Sequence, residues 1–508
     1  ICIHPDNVQA EGKERAVANY GVKLLGTWLG TDEYVGINLQ NKLETLRAEA
    51  GKLKNVSDTQ TMYLLLSNCY CQKVNHLMRT TPNRLLEAFL RDYDELKMEV
   101  FAKIFVNAYP NGKLPEDLKI QAQARNLDGG CGLTNSAKIT HAAYVASALE
   151  SLDTVTKVIP AFSLEQQRDF TTSIEELQTW TPAGEIPEAF TVGQLRSMLD
   201  DKTGNQSLQG QLSNNWHKKE VSTLMDHFKD DPKKLSFYVS INGDDNSGRW
   251  LRARPKCDAF KLSNEEFSAA MCYRLHHRQP TFIAGSRCNC KKNPLLDELG
   301  HHITTACGQE GYRIKTHDSI KLGVRDILHS CGIKTRVEVA QCFREAQPDN
   351  GKRPDLMFYN YPGSDKQIVG DVCITCPHPV AASTPFTLTD ARKVGRSAKV
   401  SRKIKEDKYI GPCVANGLKF VPLIFESTGR LDEPCAAFLR RALRSKCGQN
   451  EAMYRAFSNY WLGRLSCCLQ KSIASSIIHR SKIINCGMVH NSNYQFQEDF
   501  ILESEFRY

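Results

Sequence analysis

At 508 residues the chain is long enough for two to four domains with substantial cores, and its 41% hydrophobic and 24% charged content fits a soluble globular protein. It has no apolar run of 18 or more residues and no charged-then-apolar signal pattern, so neither a membrane span nor a membrane partner is expected. The net charge of +9 (66 basic against 57 acidic residues) is by itself weak evidence for a polyanionic partner, and nineteen irregularly spaced cysteines fit a reducing compartment better than a disulfide scaffold.

The chain starts at Ile1 rather than Met and is expected to be a piece of something longer. Residues 20–35 hold short apolar runs punctuated by glycines, the pattern of a tight hairpin. From 37 to 54, Ile37, Leu39, Leu43, Leu46, Ala50 and Leu53 recur at helical spacing. Two more helices are predicted at 59–80 and 83–108, parted by Thr-Thr-Pro at 80–82. Residues 134–235 read as mostly helical, with polar breaks near 181–187 and at 201–214, the second an exposed loop or linker. Asp244 and Asp245 lie in a turn sequence between two strand-like runs, and turn chemistry explains them better than catalysis. Ser263 followed by Glu266 is a capping pattern ahead of a helix.

Between 288 and 307, Cys288, Cys290, His302 and Cys307 offer three thiolates and one imidazole, a common composition for a structural Zn²⁺ site. The Cys-x-Cys spacing is tight, and His301 competes with His302 for the fourth position. Unliganded cysteines and a surface histidine pair are the alternative. A helix is predicted at 316–330, with Thr316 as its N-cap and Gly332 as its stop, then strands at 335–341, 355–359 and 367–374. A basic helix follows at 387–408, and residues 391–408 alone hold eight Lys/Arg against two acidic residues. The run 418–425 reads as a further strand, at an edge or bulged because of Pro422. Helix, three strands, helix, strand is an α/β core. Asp355 and Asp371 fall on paired strands, where two carboxylates can share a hard cation such as Mg²⁺.

Several of these stretches, taken in order, resemble one family. The runs GVKLLGTWLG, YCQKVNHLMRTTP and LDGGCGL look like the end of the palm and the thumb of a non-LTR retrotransposon reverse transcriptase. SGRWLRARP and LSNEEFSAAMCYRL are similar to its connector, and the Cys/His run to its CCHC zinc knuckle. KTHD (315–318), KRPDL (352–356), GDV (370–372) and KIKEDKY (403–409) look like the successive motifs of its restriction-like endonuclease, a PD-(D/E)xK nuclease. The resemblance covers most of residues 15–430. It implies a multidomain chain, with 1–110 as the end of the palm and a thumb-like helical region and 111–280 as a mostly helical connector. A zinc knuckle at 281–310, the endonuclease at 311–430 and a helical tail at 431–508 complete it. The polymerase carboxylates would lie upstream of this sequence.

The resemblance also implies roles. Asp355 and Asp371 match the two metal carboxylates, for Mg²⁺ or Mn²⁺. The parent nuclease class expects lysine two residues after the second carboxylate, where Cys373 stands; the retroelement version supplies it from the next helix. Lys405 is the first choice and Lys408 the second, with Tyr409 on the face of Lys405. Glu338 either reaches the metal from the first strand or faces solvent. His317 matches a Lys-His-Asp/Asn motif and orients a phosphate or a water, or is a surface group. The family spacing favours His302 over His301 in the knuckle. The implied activity is nicking of target DNA in the nucleus to prime reverse transcription, with the element's template RNA as a second partner. A non-catalytic nucleic-acid scaffold, an inactive remnant and a free-standing repair-type nuclease are the rival readings.

Overall fold

The computed structural model describes residues 20–180, 190–200, 207–281, 285–307, 311–339, 342–343, 353–379 and 386–485. β1 (Gly21–Leu24) and β2 (Thr27–Gly30) form the expected hairpin. Its two-residue turn places Leu25 and Gly26 at φ of 49° and 89°, the left-handed pair whose twist suits tightly joined strands. α1 (Asp32–Lys54) starts where the Thr31 hydroxyl accepts the Tyr34 N–H. α2 (Thr59–Asn68) starts on Asp58 in the same way. The helix expected over 59–80 is divided into α2, a short 3₁₀ turn and α3 (Asn75–Thr80). The break turns Tyr70 into the core, where its hydroxyl donates to the Leu46 carbonyl at 2.9 Å. α4 (Asn83–Phe101) ends in a second 3₁₀ turn. Leu39, Leu43 and Leu46 of α1 bury against Leu66, Leu86 and Leu90, each such side chain contributing about 1.5–3 kcal/mol.

α5 (Glu116–Gln123), α6 (Ser136–Val158), α7 (Arg168–Gln178), α8 (Val192–Asp200), α9 (Leu208–His227), α10 (Pro232–Ile241) and α11 (Asn264–Arg274) follow. Two expectations need correction here. The later part of 201–214 is not loop: Ser207 caps α9, and Leu208 and Leu212 bury beside Leu149 and Trp180. Residues 201–206, like all of the break near 181–187, lie outside the described residues. The runs flanking Asp244 and Asp245 are not strands either. Asp231 accepts from the Lys233 and Lys234 N–H groups, Pro232 opens the helix, and α10 results; Asn246–Arg252 is a 3₁₀ turn, and Asp244 just ahead of it accepts the Ser247 N–H at 2.8 Å. The capping box of Ser263 and Glu266 opens α11 as expected.

α12 (Tyr312–Ser330) starts earlier than predicted, after Gly311 at φ +68°. Thr316 is therefore not its N-cap; it sits inside the helix and donates to the Tyr312 carbonyl at 3.0 Å. β3 (Lys334–Val337), β4 (Leu356–Tyr359) and β5 (Ile368–Thr375) are followed by α13 (Leu388–Ala391), α14 (Arg396–Ala415) and β6 (Lys419–Glu426). The expected order of helix, three strands, helix, strand is present, except that the basic helix is two helices and residues 340–341 lie outside the described residues. The sheet order is β3-β4-β5-β6, antiparallel except for the β5–β6 pair, whose parallel register needs the crossover through α14. Pro422 stands in β6, an edge strand, as its missing N–H requires.

One sheet face carries Leu356, Phe358, Val372 and Leu423, packed on Ile320, Val324 and Leu328 of α12 and on the C-terminal helices α15 (Glu433–Cys447) and α16 (Glu451–Asn485). The other face carries Val369 and Phe420, packed on Tyr409 and Cys413 of α14. α16 packs on α11 as well as on α12 and α15, so it joins the helical part of the chain to the sheet. Among the described residues no helix is long and apolar enough to cross a membrane.

Candidate active site and Cys/His cluster

The register of β4 and β5 decides where the two aspartates lie. Leu356 pairs with Gly370. One further step in that antiparallel register sets Asp355 opposite Asp371. The pleat sends alternate side chains of β5 to opposite faces, so Val369, Asp371 and Cys373 share the face covered by α14. Gly370, between them, faces the other way. A Cβ there would come 2.9 Å from the Phe358 ring and 3.0 Å from Leu423 Cδ1, so only glycine lets the strands close beside Asp371.

α14 presents Ala398, Arg402, Lys405, Tyr409 and Cys413 at three- and four-residue steps along its inward face. Arg402 is paired with Asp432 at 3.0 Å, and Tyr409 is stacked on Phe420, which fixes the helix against the sheet. Lys405 then reaches Asp371 and forms an ion pair with it. The Asp371 side chain is 5% exposed and that of Lys405 24%. Burial alone would lower the Lys405 pKa, but the charge and hydrogen bond of Asp371 outweigh it, with smaller contributions from Cys373 and Asp355, and the net shift is upward. Tyr409 is pushed up by burial and then by the charges of Asp371 and Asp355, so it is a neutral phenol; its hydroxyl donates to the Arg353 carbonyl at 3.3 Å.

Asp355 is held by two donors on one oxygen. Its Oδ2 accepts the Val372 N–H at 2.7 Å and lies 3.1 Å from His317 Nε2. Burial works to raise the Asp355 pKa, but His317 and the Val372 N–H prevail and hold it below the usual carboxylate range. His317 is shifted the other way: burial disfavours its charge, and the hydrogen bond and charge of Asp355 more than restore it. Both contacts fall on Oδ2 and neither on Oδ1.

The structure thus brings Asp355, Asp371, Lys405, Tyr409 and His317 together. Lys408 is exposed, with its ammonium 4.7 Å from the centre of the Tyr409 ring. Glu338, at φ +50° just beyond β3, has its carboxylate engaged by Lys321 at 2.6 Å and Arg353 at 2.5 Å. Its N–H donates to the Asp355 carbonyl at 2.8 Å, so it positions the backbone of the first aspartate. Lys321 and Arg353 gave no sequence signal, because their partner is set by the fold rather than by spacing.

The second constellation is the Cys/His cluster. Ligand atoms of Cys288, Cys290, His302 and Cys307 all lie within 4.8 Å of one another, and all four residues are buried. Cys288 Sγ is 3.7 Å from Cys307 Sγ, too far for a disulfide, and Cys290 Sγ is 3.5 Å from His302 Nε2. A tetrahedral metal with about 2.3 Å bonds to sulfur and about 2.0 Å to nitrogen requires S–S edges of roughly 3.8 Å and S–N edges of roughly 3.5 Å. Arg480, fully buried in α16, donates to Cys288 Sγ at 3.2 Å and to Asn289 at 2.5 Å. Burial holds His302 below its usual pKa, leaving a neutral ring with a lone pair to offer. The cluster is one that could bind a metal, and His302 rather than His301 belongs to it. His301 instead faces His276 and His378, three histidines far apart in the sequence.

No family model matches the chain. Over 202 residues it is 28% identical to the retrotransposable element SLACS 132 kDa protein of Trypanosoma brucei gambiense, an alignment covering 38% of this chain. It takes in 16% of that protein, so the chain spans only about a sixth of its relative's length. The chain is related to a retrotransposon protein.

Proposed function

We propose that the sheet and its helices form a restriction-like, metal-dependent DNA endonuclease within a retrotransposon protein. The observation that carries this reading is the Lys405–Asp371 ion pair beside a register-matched Asp355. A basic helix that merely gripped phosphates would have no reason to aim one lysine at a buried carboxylate. The donor set fits Mg²⁺ or Mn²⁺: two carboxylates, which are hard oxygen donors. Asp355 and Asp371 would hold the ion, which when bound supplies charge to the scissile phosphate and acidity to a water.

The chain's own groups have separate tasks in that reading. Lys405 stabilises negative charge developing on the phosphate under attack. Tyr409, a neutral phenol packed on Phe420, holds the lysine's helix in register with β5. His317 orients Asp355 through Oδ2. Glu338, fixed by Lys321 and Arg353, supports the Asp355 backbone and is at most a further carboxylate of the metal site.

The remaining parts follow the same reading. Residues 1–110 are the end of the palm and the thumb-like region, 111–280 the connector, 281–310 the zinc knuckle, 311–430 the endonuclease and 431–508 a helical tail. Cys288, Cys290, His302 and Cys307 would hold Zn²⁺, whose binding energy folds a segment with little core of its own. Target DNA and the element's RNA are the partners, met mainly through phosphates, and the nucleus is the place of action.

The test is nicking of supercoiled plasmid with Mg²⁺ by this chain and by its Asp371→Ala variant. Nicking by the first and none by the second is expected. Equal nicking by both would mark contamination, and none by either, with DNA binding intact, would make the chain a nucleic-acid scaffold.

A further inference from the structure

We propose that His276, His301 and His378 form a second divalent-metal site, of the zinc class, distinct from the Cys/His cluster and independent of the nuclease reading. Ring nitrogens of the three lie within 4.8 Å of one another, and the residues are 7%, 4% and 3% exposed. His276 Nε2 and His301 Nε2 are 3.1 Å apart. Two nitrogens bound to one tetrahedral zinc at about 2.0–2.1 Å would be roughly 3.3 Å apart.

His378 supplies the deciding detail. Its Nδ1 lies 3.1 Å from the Pro379 carbonyl, an acceptor only, so Nδ1 carries the proton and Nε2 the lone pair. That Nε2 is buried and has no hydrogen-bond partner among the described residues. A buried polar atom left so costs about 1–3 kcal/mol. A histidine whose Nδ1–H is tied to a carbonyl, whose Nε2 is buried without such a partner and whose ring lies in a cluster of three buried imidazoles has the arrangement of a metal ligand. A plain hydrogen bond between His276 Nε2 and His301 Nε2 would account for the approach of those two atoms, but it leaves His378 Nε2 without a partner among the described residues.

The surroundings favour an ion in a closed setting. The Phe237 ring packs against His276 and His301, each with ring centres 4.7 Å apart, and against His378 at 5.7 Å. Asp297 accepts the N–H groups of both His301 and His302, at 2.9 and 3.3 Å. It therefore sets two adjacent histidines to serve two different clusters. His276 lies just after α11, at φ +54°, and His378 just after β5. An ion there would bind the helical connector, the Cys/His segment and the sheet at one point. Three imidazoles without a thiolate suit zinc among the abundant divalent cations.

Zinc content of the full chain tests the proposal, measured in an Asp371→Ala background so that a carboxylate-bound ion is not counted. Two zinc per chain are expected, falling to one on His378→Gln. After replacement by Co²⁺, the thiolate charge-transfer absorption of the Cys/His cluster should be the same in both chains. One zinc per chain, unchanged by His378→Gln, overturns the proposal. Should His378→Gln fail to fold, zinc-edge X-ray absorption on the Asp371→Ala chain alone decides. Nitrogen neighbours outnumbering sulfur support two sites; three sulfurs to each nitrogen leave only the Cys/His cluster and refute the second.

Discussion

Lys405, in the third turn of α14, is ion-paired with Asp371, in the middle of β5. Lys408, one turn on, is exposed and turned over the Tyr409 ring. The two lysines are therefore separable by substitution. Lys405→Ala is expected to lower the initial rate of plasmid nicking by about 10²–10³-fold, the usual loss when one preorganised transition-state donor is removed. Lys408→Ala should leave that rate within about threefold, as for an exposed phosphate contact. The reverse ranking would move the catalytic role to Lys408.

The position of Cys373 suggests a stricter test. It lies two residues beyond Asp371, on the same face of β5, and the Lys405 charge acts on its thiol. The lysine from α14 thus stands where a lysine on the strand would put its ammonium. In a Lys405→Ala chain, Cys373→Lys should recover about 10-fold or more of the lost nicking, on the scale of one positioned cation. The two substitutions applied separately should not. Absence of recovery in a folded double variant would mean that Lys405 does more than place a charge beside Asp371.

How much of this was legible in the residues depends on the range of the interaction. The hairpin, the capping box at Ser263, the strand order and the pairing of Asp355 with Asp371 follow from local pattern and antiparallel register. The choice of Lys405 over Lys408 was legible only as helix phase, because Tyr409 and Cys413 mark the buried face at the four-residue step. The departures have separate causes. The start of α9 reads as a loop because its glycine and asparagines are locally poor in helix, and the buried Leu208 and Leu212 override them. The run before Asp244 reads as a strand because its β-branched and aromatic residues suit either state, and Asp231-Pro232 makes it a helix. Glu338 shows the reverse limit. Nothing in its spacing could reveal Lys321 and Arg353, which arrive from elsewhere in the fold. The His276–His301–His378 group had no signal except the doubled histidines at 276–277 and 301–302, which no common spacing joins to His378.

Arg441 offers a test of the DNA path. A surface cavity of about 480 Å³ is lined by Arg440, Arg441, Arg444, Ser445 and Tyr454. Arg440 is paired with Glu433 at 2.5 Å, and Arg444 with Glu451 at 2.9 Å while it stacks on Tyr454. Arg441 has no ion pair among the described residues. If the cavity meets a phosphate, Arg441→Ala should weaken binding about equally for all duplex sequences. The slope of log affinity against log salt should flatten by about 0.9, the release of one counterion. Fluorescence anisotropy of a labelled duplex between about 50 and 200 mM salt reads both. An unchanged slope would put this cavity off the DNA path.

Glu426, at the end of β6, gives a prediction about stability that needs neither metal nor DNA. It is 1% exposed, and Ser240 of α10 donates to its Oε2 at 2.5 Å. Burial raises its pKa above the ordinary 4.5, and Ser240 and Arg430 offset only part of that. In the unfolded chain the carboxyl loses its proton near 4.5, whereas the folded chain retains it to higher pH. The contribution of this group to stability is therefore full below that value and is lost as pH rises through the folded pKa. Glu426→Gln keeps the shape and the acceptor for Ser240 but cannot titrate. The variant's melting temperature should match the wild type below about pH 4.5 and exceed it by a margin that grows as pH rises to the folded pKa and is constant above it. Calorimetry across that range measures the difference directly. A gap that stays flat with pH would mean that Glu426 folds already ionised, with Arg430 and Ser240 compensating its burial in full.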